Sequence, residues 1–390
     1  MLNLHRGLGR AAPMRTLRLL ASSAALLISG SPGFAKDPAK SILLITVNGA
    51  PQSELRSLKR LSEKGVLFTE LIADSDNAAW NDASLLTGFH GASYEMSLPI
   101  SERLKRMAAL SSILRTRGYS TAAFGEGLPP KPWFPGFQTY GAASSSGPLS
   151  MALGWLERRG KEPVFLWVRL DAGSFAGLQE GPGGLDASLE GFLDALSKRA
   201  WLDRSVVSLL VQHDRGGAPA DGRKPLRDAG IKGEFLVRAP DAHPRIIEDE
   251  LIQVMDIAPT ILGLADVPAP EAMRGANLSA WIRDPKKEHA LEFFAFCASI
   301  REEGTKPQQV AYAVRSMDKK LLWSEKEGFE FYDISLDPDE RENLIQKQPR
   351  KAFHLLRALF SNLSSLDAGL GDGTYLSEEL LGILRDKGYW

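Results

Sequence analysis

The stretch "SILLITVN", Ser41–Asn48, is apolar and β-branched almost throughout and ends on an amide. A strand with one wet face alternates apolar and polar residues. A run this continuous predicts a strand buried on both faces, as in a parallel sheet covered by helices on either side. The next segments fit that frame. "SELRSLKRLSEKG" carries Leu55, Leu58 and Leu61 on one helical face and stops at Gly65. "VLFTELIA" reads as a second strand, "LKRMAALSSILRTRG" as an amphipathic helix ending at Gly118, and "STAAFG" as a short strand. "PVFLWVRLD" and "SVVSLLVQ" read as further buried strands, separated by the helical "LDASLEGFLDALSKRAWL". "GEFLVRAP" is another strand, followed by the helix "VMDIAPTILGLADV" with Pro in an early turn. Strands alternating with helices predict an α/β doubly wound sheet.

The pattern changes near Asp284 to Glu288, where charge density rises. "VAYAVRSMDKKLLWSE" and "GFEFYDISLDPDE" predict paired antiparallel strands, and "RKAFHLLRALFSNLSSL" a last amphipathic helix. The expected layout is an α/β domain over 36–285 and a small α+β subdomain over 286–390. Residues 1–35 read as a secretory signal. Arginines precede an apolar run and then small residues, with cleavage expected after Ala35. The run is too short for a comfortable membrane span, so no stable span is expected after cleavage.

The chain has 390 residues, 44% hydrophobic and 24% charged, an ordinary globular balance. A net charge of −1 gives no electrostatic reason to expect nucleic acid as a partner. Cys297 is the only cysteine, so no intrachain disulfide can form; it reads as a buried apolar residue. These features predict a periplasmic or secreted protein.

The order of motifs resembles the sulfatase family, within the alkaline phosphatase superfamily. "SILLITVN" is similar to the family's first strand, which ends in metal-binding Asp. "LKRLSEKGVLFTE" resembles its Leu-rich helix followed by Gly-Val-x-Phe-Thr. "ASLLTG" matches the end of the signature Cys/Ser-x-Pro-Ser-Arg-x-x-Leu-Leu-Thr-Gly. "ILRTRGYSTAAFGE" resembles the segment leading to Gly-Lys, and "LIQVMDIAPTILGLADVP" the Asp-x-x-Pro-Thr-x-Leu segment. "FEFYDISLDPDERENLI" is close to Leu-Tyr-Asp-Leu-x-x-Asp-Pro-x-Glu-x-x-Asn-Leu, and "LRDKGYW" to a common family ending. The resemblance implies an alkaline phosphatase/sulfatase-like, mostly parallel sheet flanked by helices. It also implies ester hydrolysis by a nucleophile, a carboxylate-held divalent cation and anion-binding cations.

Carried over residue by residue, those roles are missing. The nucleophile position falls on Ala78, and the Pro-Ser-Arg that follows falls on Trp80, Asn81 and Asp82. Ser75 and Thr87 are nearby hydroxyls. Metal-ligand positions fall on Asn48, Gly49, Gln212 and His213; a one-residue shift offers Asp214 and Arg215 instead. The Gly-Lys lysine falls on Glu126, the His of Asp-Pro-His on Gly173 with Asp171 kept, and Lys224 lies near the remaining family lysine.

Asn48, Asp82, Glu126, Asp171, Gln212, His213, Asp214 and Lys224 therefore make up a residual cleft at the strand ends, where open α/β sheets bind ligands. Asp82 or Asn81 is expected to N-cap the "ASLLTG" helix. Trp80 is expected to fill space, with sugar stacking as the alternative, and His90 to be a buried structural residue. The leading expectation is an exported pseudoenzyme that binds a glycan, an envelope component or a protein partner and needs no cofactor. The alternative is a divergent sulfuric- or phosphoric-ester hydrolase using Ca²⁺ or Mg²⁺, with Glu126 or Asp82 supplying charge.

Overall fold

A computed structural model describes residues 40–50, 55–90, 107–142, 147–160, 162–175, 184–212, 225–287, 291, 294–303, 306–324 and 326–370. The expected signal segment, and His213, Asp214, Arg215 and Lys224, lie outside the described residues.

The main sheet has nine strands among the described residues. They are β1 (Ser41–Asn48), β2 (Val66–Ile72), β3 (Ser120–Gly125), β4 (Thr139–Ala142), β5 (Val164–Asp171), β6 (Ser205–Gln212), β7 (Lys232–Arg238), β8 (Arg245–Ile247) and β9 (Ile252–Gln253). Their order is β4-β3-β5-β1-β6-β7-β2-β8, with β9 also paired to β2. Only β7 runs against its neighbours. The expected α/β, mostly parallel sheet is the observed one.

The first strand explains the architecture. Every residue of β1 is buried, and its side chains alternate between two cores. Ile42 and Leu44 join one, with α2 (Ala78–Thr87), α3 (Leu110–Thr116) and α6 (Ile257–Leu264). Leu43, Ile45 and Val47 join the other, beneath α1 (Arg56–Ser62), α4 (Gly147–Glu157) and α5 (Leu185–Lys198). A strand covered on both faces has no position left for an exposed polar residue, so its sequence reads as one apolar run.

The C-terminal part is a four-stranded antiparallel sheet, β10 (Ala295–Glu303), β11 (Lys306–Arg315), β12 (Lys319–Ser324) and β13 (Gly328–Asp333), under α7 (Pro349–Leu370). The two stretches expected to pair hold three of these strands, since "VAYAVRSMDKKLLWSE" spans both β11 and β12. β10 was not expected, because "AFCASI" lacks a turn signal tying it to its partner.

A buried ionic network fastens this sheet to the segment before β7. Lys320 Nζ lies 2.7 Å from Asp228 Oδ1 and 2.8 Å from Glu340 Oε1, with the lysine side chain 0% exposed. Arg315 Nε donates to Asp228 Oδ2 at 2.9 Å, and the Asp228 N–H donates to Glu340 Oε2 at 2.8 Å. Arg227 reaches Glu330 at 3.2 Å and the Tyr332 hydroxyl at 3.0 Å. Burial alone would raise the Asp228 pKa. The Lys320 and Arg315 charges outweigh that and hold it at about 2.

Candidate functional site

The parallel register sets Asp171, Asn48 and Gln212 level with one another on adjacent strands β5, β1 and β6. All three are last residues of their strands, at the carboxyl edge where α/β sheets hold ligands. Gly49 then turns the chain at φ 72°, and the Ala50 N–H donates to Gln212 O at 3.1 Å. Glu126 follows β3 on the same edge. Of the expected cleft residues, these four share an edge; Gly173 lies just beyond β5, where its N–H donates to Asp171 Oδ1 at 2.9 Å.

The polarity of this edge is unusual. Asn48 is 9% exposed, and its Nδ2 is buried with no hydrogen-bond partner among the described residues. The neighbouring Gln212 Nε2 is in the same state. Glu126 accepts from the Ser174 hydroxyl through Oε2, while its Oε1 is buried without a partner. A hard divalent cation takes oxygen ligands, preferably charged. Here the described ligand positions are two neutral amides and a glycine, with amide N–H donors enclosed where a cation needs acceptors. Those residues do not fit Ca²⁺ or Mg²⁺. Among the described residues no group of three or more His, Cys, Asp or Glu is placed to hold a metal ion.

The helix start differs from the sequence expectation. Neither Asp82 nor Asn81 caps it. Helix α2 begins at Ala78, and the cap is Asn77, whose Oδ1 accepts from the Ala79 N–H at 2.9 Å and the Trp80 N–H at 3.4 Å. The expectation placed the start too late because "NAAWND" has no apolar periodicity of its own. Ala78 stands exposed in the first turn. Asn81 instead folds back onto the loop: its Oδ1 accepts from the Ser75 N–H at 3.0 Å and its Nδ2 donates to Ser75 O at 2.7 Å. The helix ends at Gly88, at φ 68°, with Met273 packed where a Cβ would stand. That is the physical content of the Gly in "LLTG".

Asp82 is buried mid-helix and pairs with a residue the sequence reading overlooked. Arg169 Nε donates to Asp82 Oδ2 at 2.9 Å, with side-chain exposures of 7% and 4%. Arg169 Nη1 donates to Glu126 O at 2.5 Å. Burial pushes the Asp82 carboxyl above its ordinary value against the pull of the Arg169 guanidinium. Asp82 is therefore neither a cap nor a free charge in the cleft. The signal for Arg169 was present. In "VFLWVRLD", strand alternation puts it on the face of Phe165 and Trp167, under α2. Gly125 allows the approach, since a Cβ there would lie 2.6 Å from Arg169 O.

The remaining candidates are tied into structure. Thr87 Oγ1 donates to Ala83 O at 2.6 Å, and Ser75 Oγ accepts from the Asn77 N–H at 3.2 Å. Trp80 is 7% exposed and packs into the C-terminal sheet's core with Phe296, Tyr312 and Trp323, which excludes sugar stacking in this arrangement. His90 is buried, with Nε2 3.0 Å from Phe296 O. A carbonyl can only accept, so Nε2 carries the proton. Burial lowers the His90 pKa to about 4. Cys297 is fully buried, and burial raises its thiol pKa.

Known proteins match the architecture and parts of the sequence. The family model for the C-terminal part of N-sulphoglucosamine sulphohydrolase matches residues 223–368. An arylsulfatase of Clostridium perfringens is 25% identical over 209 residues, 49% of this chain and 40% of that protein. An uncharacterized sulfatase of Schizosaccharomyces pombe is 31% identical over 133 residues, 32% of this chain and 23% of that protein. The chain thus spans less than half the length of these relatives. A solved Bacteroides thetaiotaomicron protein, described with the metabolism of multiple glycosaminoglycans, superposes with a TM-score of 0.74 at 14% identity. It covers 88% of this chain and 99% of its own. The fold is that of solved sulfatases, and parts of the sequence are similar to sulfatases.

Proposed function

We propose that this protein is an exported, non-catalytic member of the sulfatase family that binds a glycan, an envelope component or a protein partner at the strand-end cleft. The observation that carries the reading is the helix start. Ala78 offers no attacking atom, and the nearby hydroxyls of Ser75 and Thr87 are engaged by the loop and the helix backbone. Covalent catalysis needs a positioned nucleophile with an activating neighbour. The cation that would steady an anionic group is also committed, because Arg169 is paired with Asp82.

Export rests on the composition of residues 1–35. Among the described residues no helix is long and apolar enough to cross a membrane. The test is a turnover assay of the purified full chain against aryl sulfates, phosphate monoesters and diesters, and sulfated saccharides, with and without added Ca²⁺ or Mg²⁺. The reading expects no turnover above buffer. Hydrolysis that disappears on changing Glu126 or Gln212 would establish a divergent hydrolase instead.

A further inference from the structure

The strand-end edge holds buried donors and a buried acceptor that find no hydrogen-bond partner among the described residues. Asn48 Nδ2 and Gln212 Nε2 are N–H donors without an acceptor, on residues directly opposite one another in the β1–β6 register. Glu126 Oε1 is an acceptor without a donor, two strands away beyond β5. Buried polar groups are normally satisfied, so atoms on one strand-end edge that find no partner among the described residues suit a ligand that can pair with them. From Glu126 to Gln212 the edge crosses three strand spacings of about 4.8 Å, or roughly 14 Å.

The chemistry of the edge selects the partner. Each hydroxyl donates one hydrogen bond and accepts up to two, so a polyhydroxyl ligand can serve amide donors and a carboxylate acceptor together. A sulfate group only accepts. It could take the amide donors, but Glu126 and Asp171 would repel it, and Arg169, the cation beneath the edge, is already held by Asp82 and Glu126 O. A divalent cation would face the amide N–H groups. We propose that Asn48, Gln212 and Glu126 form a binding site for the hydroxyl groups of an uncharged saccharide. This inference rests on the non-catalytic reading above and adds the ligand class to it.

The test uses the full-length protein and isothermal titration calorimetry. The probes are neutral oligosaccharides (gluco-, galacto-, manno- and N-acetylglucosamine-based tetramers), a 6-O-sulfated counterpart of each, inorganic sulfate, CaCl₂ and MgCl₂. At least one neutral oligosaccharide is expected to bind. Asn48→Leu and Gln212→Leu are each expected to weaken that binding at least tenfold, and sulfation is expected to weaken it too. Each apolar variant removes an unpartnered donor, so its melting temperature should stay level or rise. A drop in melting temperature would show that the amide is already bonded inside the protein and would overturn the proposal. So would tighter binding of a sulfated probe, inorganic sulfate or Ca²⁺, or binding of no neutral probe. None of those results touches the absence of turnover. Cleavage of a sulfated probe would instead remove the non-catalytic reading itself.

Discussion

Arg169 and Asp82 stand 87 residues apart in sequence and meet at 2.9 Å, both nearly sealed from solvent. In the resemblance to the sulfatase signature, the α2 position holds the arginine. Here the carboxylate is on the helix and the guanidinium is on the neighbouring strand. The cation is still present, but it faces a partner of its own.

That pairing predicts an asymmetric response to mutation. Breaking one side of a buried pair leaves an uncompensated charge, which costs about 3–5 kcal/mol. Arg169→Met alone should lower the urea-unfolding free energy by about that amount. Arg169→Met combined with Asp82→Leu should recover most of it, since a buried pair is often replaceable by packed apolar groups. If the double variant is as unstable as the single, the pair is not the dominant partner of Asp82.

Restoring the missing nucleophile should not restore chemistry. Ala78→Ser puts a hydroxyl on an exposed first turn. Turnover of aryl sulfates and phosphates by this variant is expected to remain at buffer level. Measurable, saturable hydrolysis would mean that the rest of the catalytic apparatus survives.

His90 should make stability fall with acid in a defined window. Its pKa is about 4 when folded, against an ordinary 6.5. Between these values the unfolded chain binds more protons, so unfolding free energy rises with pH. The contribution is complete above about pH 6.5 and is lost as pH falls to about 4. The loss is on the order of 3 kcal/mol. Denaturant midpoints from pH 7.5 to 4 should show this slope, and His90→Gln should flatten it.

The joint between the sheets should titrate lower still. Asp228 is held at about 2, below its ordinary 3.8, so its stabilising effect is present above about pH 4 and is lost as pH falls towards 2. Lys320→Met, which leaves Asp228 and Glu340 without their shared cation, is expected to cost about 3–5 kcal/mol. Amide hydrogen exchange should report faster opening of β11–β13 than of β1, β5 and β6 in that variant.

The main sheet was legible because a strand buried on both faces leaves a local signature, as β1, β5 and β6 all do. The site was legible only in part. Asn48, Glu126, Asp171 and Gln212 could be placed together because strand ends are local features and the sheet aligns them. The partner of Asp82 was legible only as far as the sheet face that alternation gives Arg169; that this strand runs beneath α2 is not a local property. The cap was misplaced for a different reason. Asn77 and the two alanines after it look like loop until the helix extends back to them. β4, β8, β9 and β10 were missed because they owe their form to neighbours rather than to their own composition.

The Glu340 carboxylate reaches back 112 residues to the Asp228 N–H. During synthesis the chain therefore carries Asp228 for a long interval, and Lys320 for a short one, before their shared partner exists. The last third of the molecule completes a lock whose other half is made early. A product truncated just before Glu340 would keep the whole main sheet, but it would leave Lys320 short of one of its two carboxylates and the C-terminal sheet without α7. Quality control acting on such chains would see a complete main sheet beside an unfinished second one.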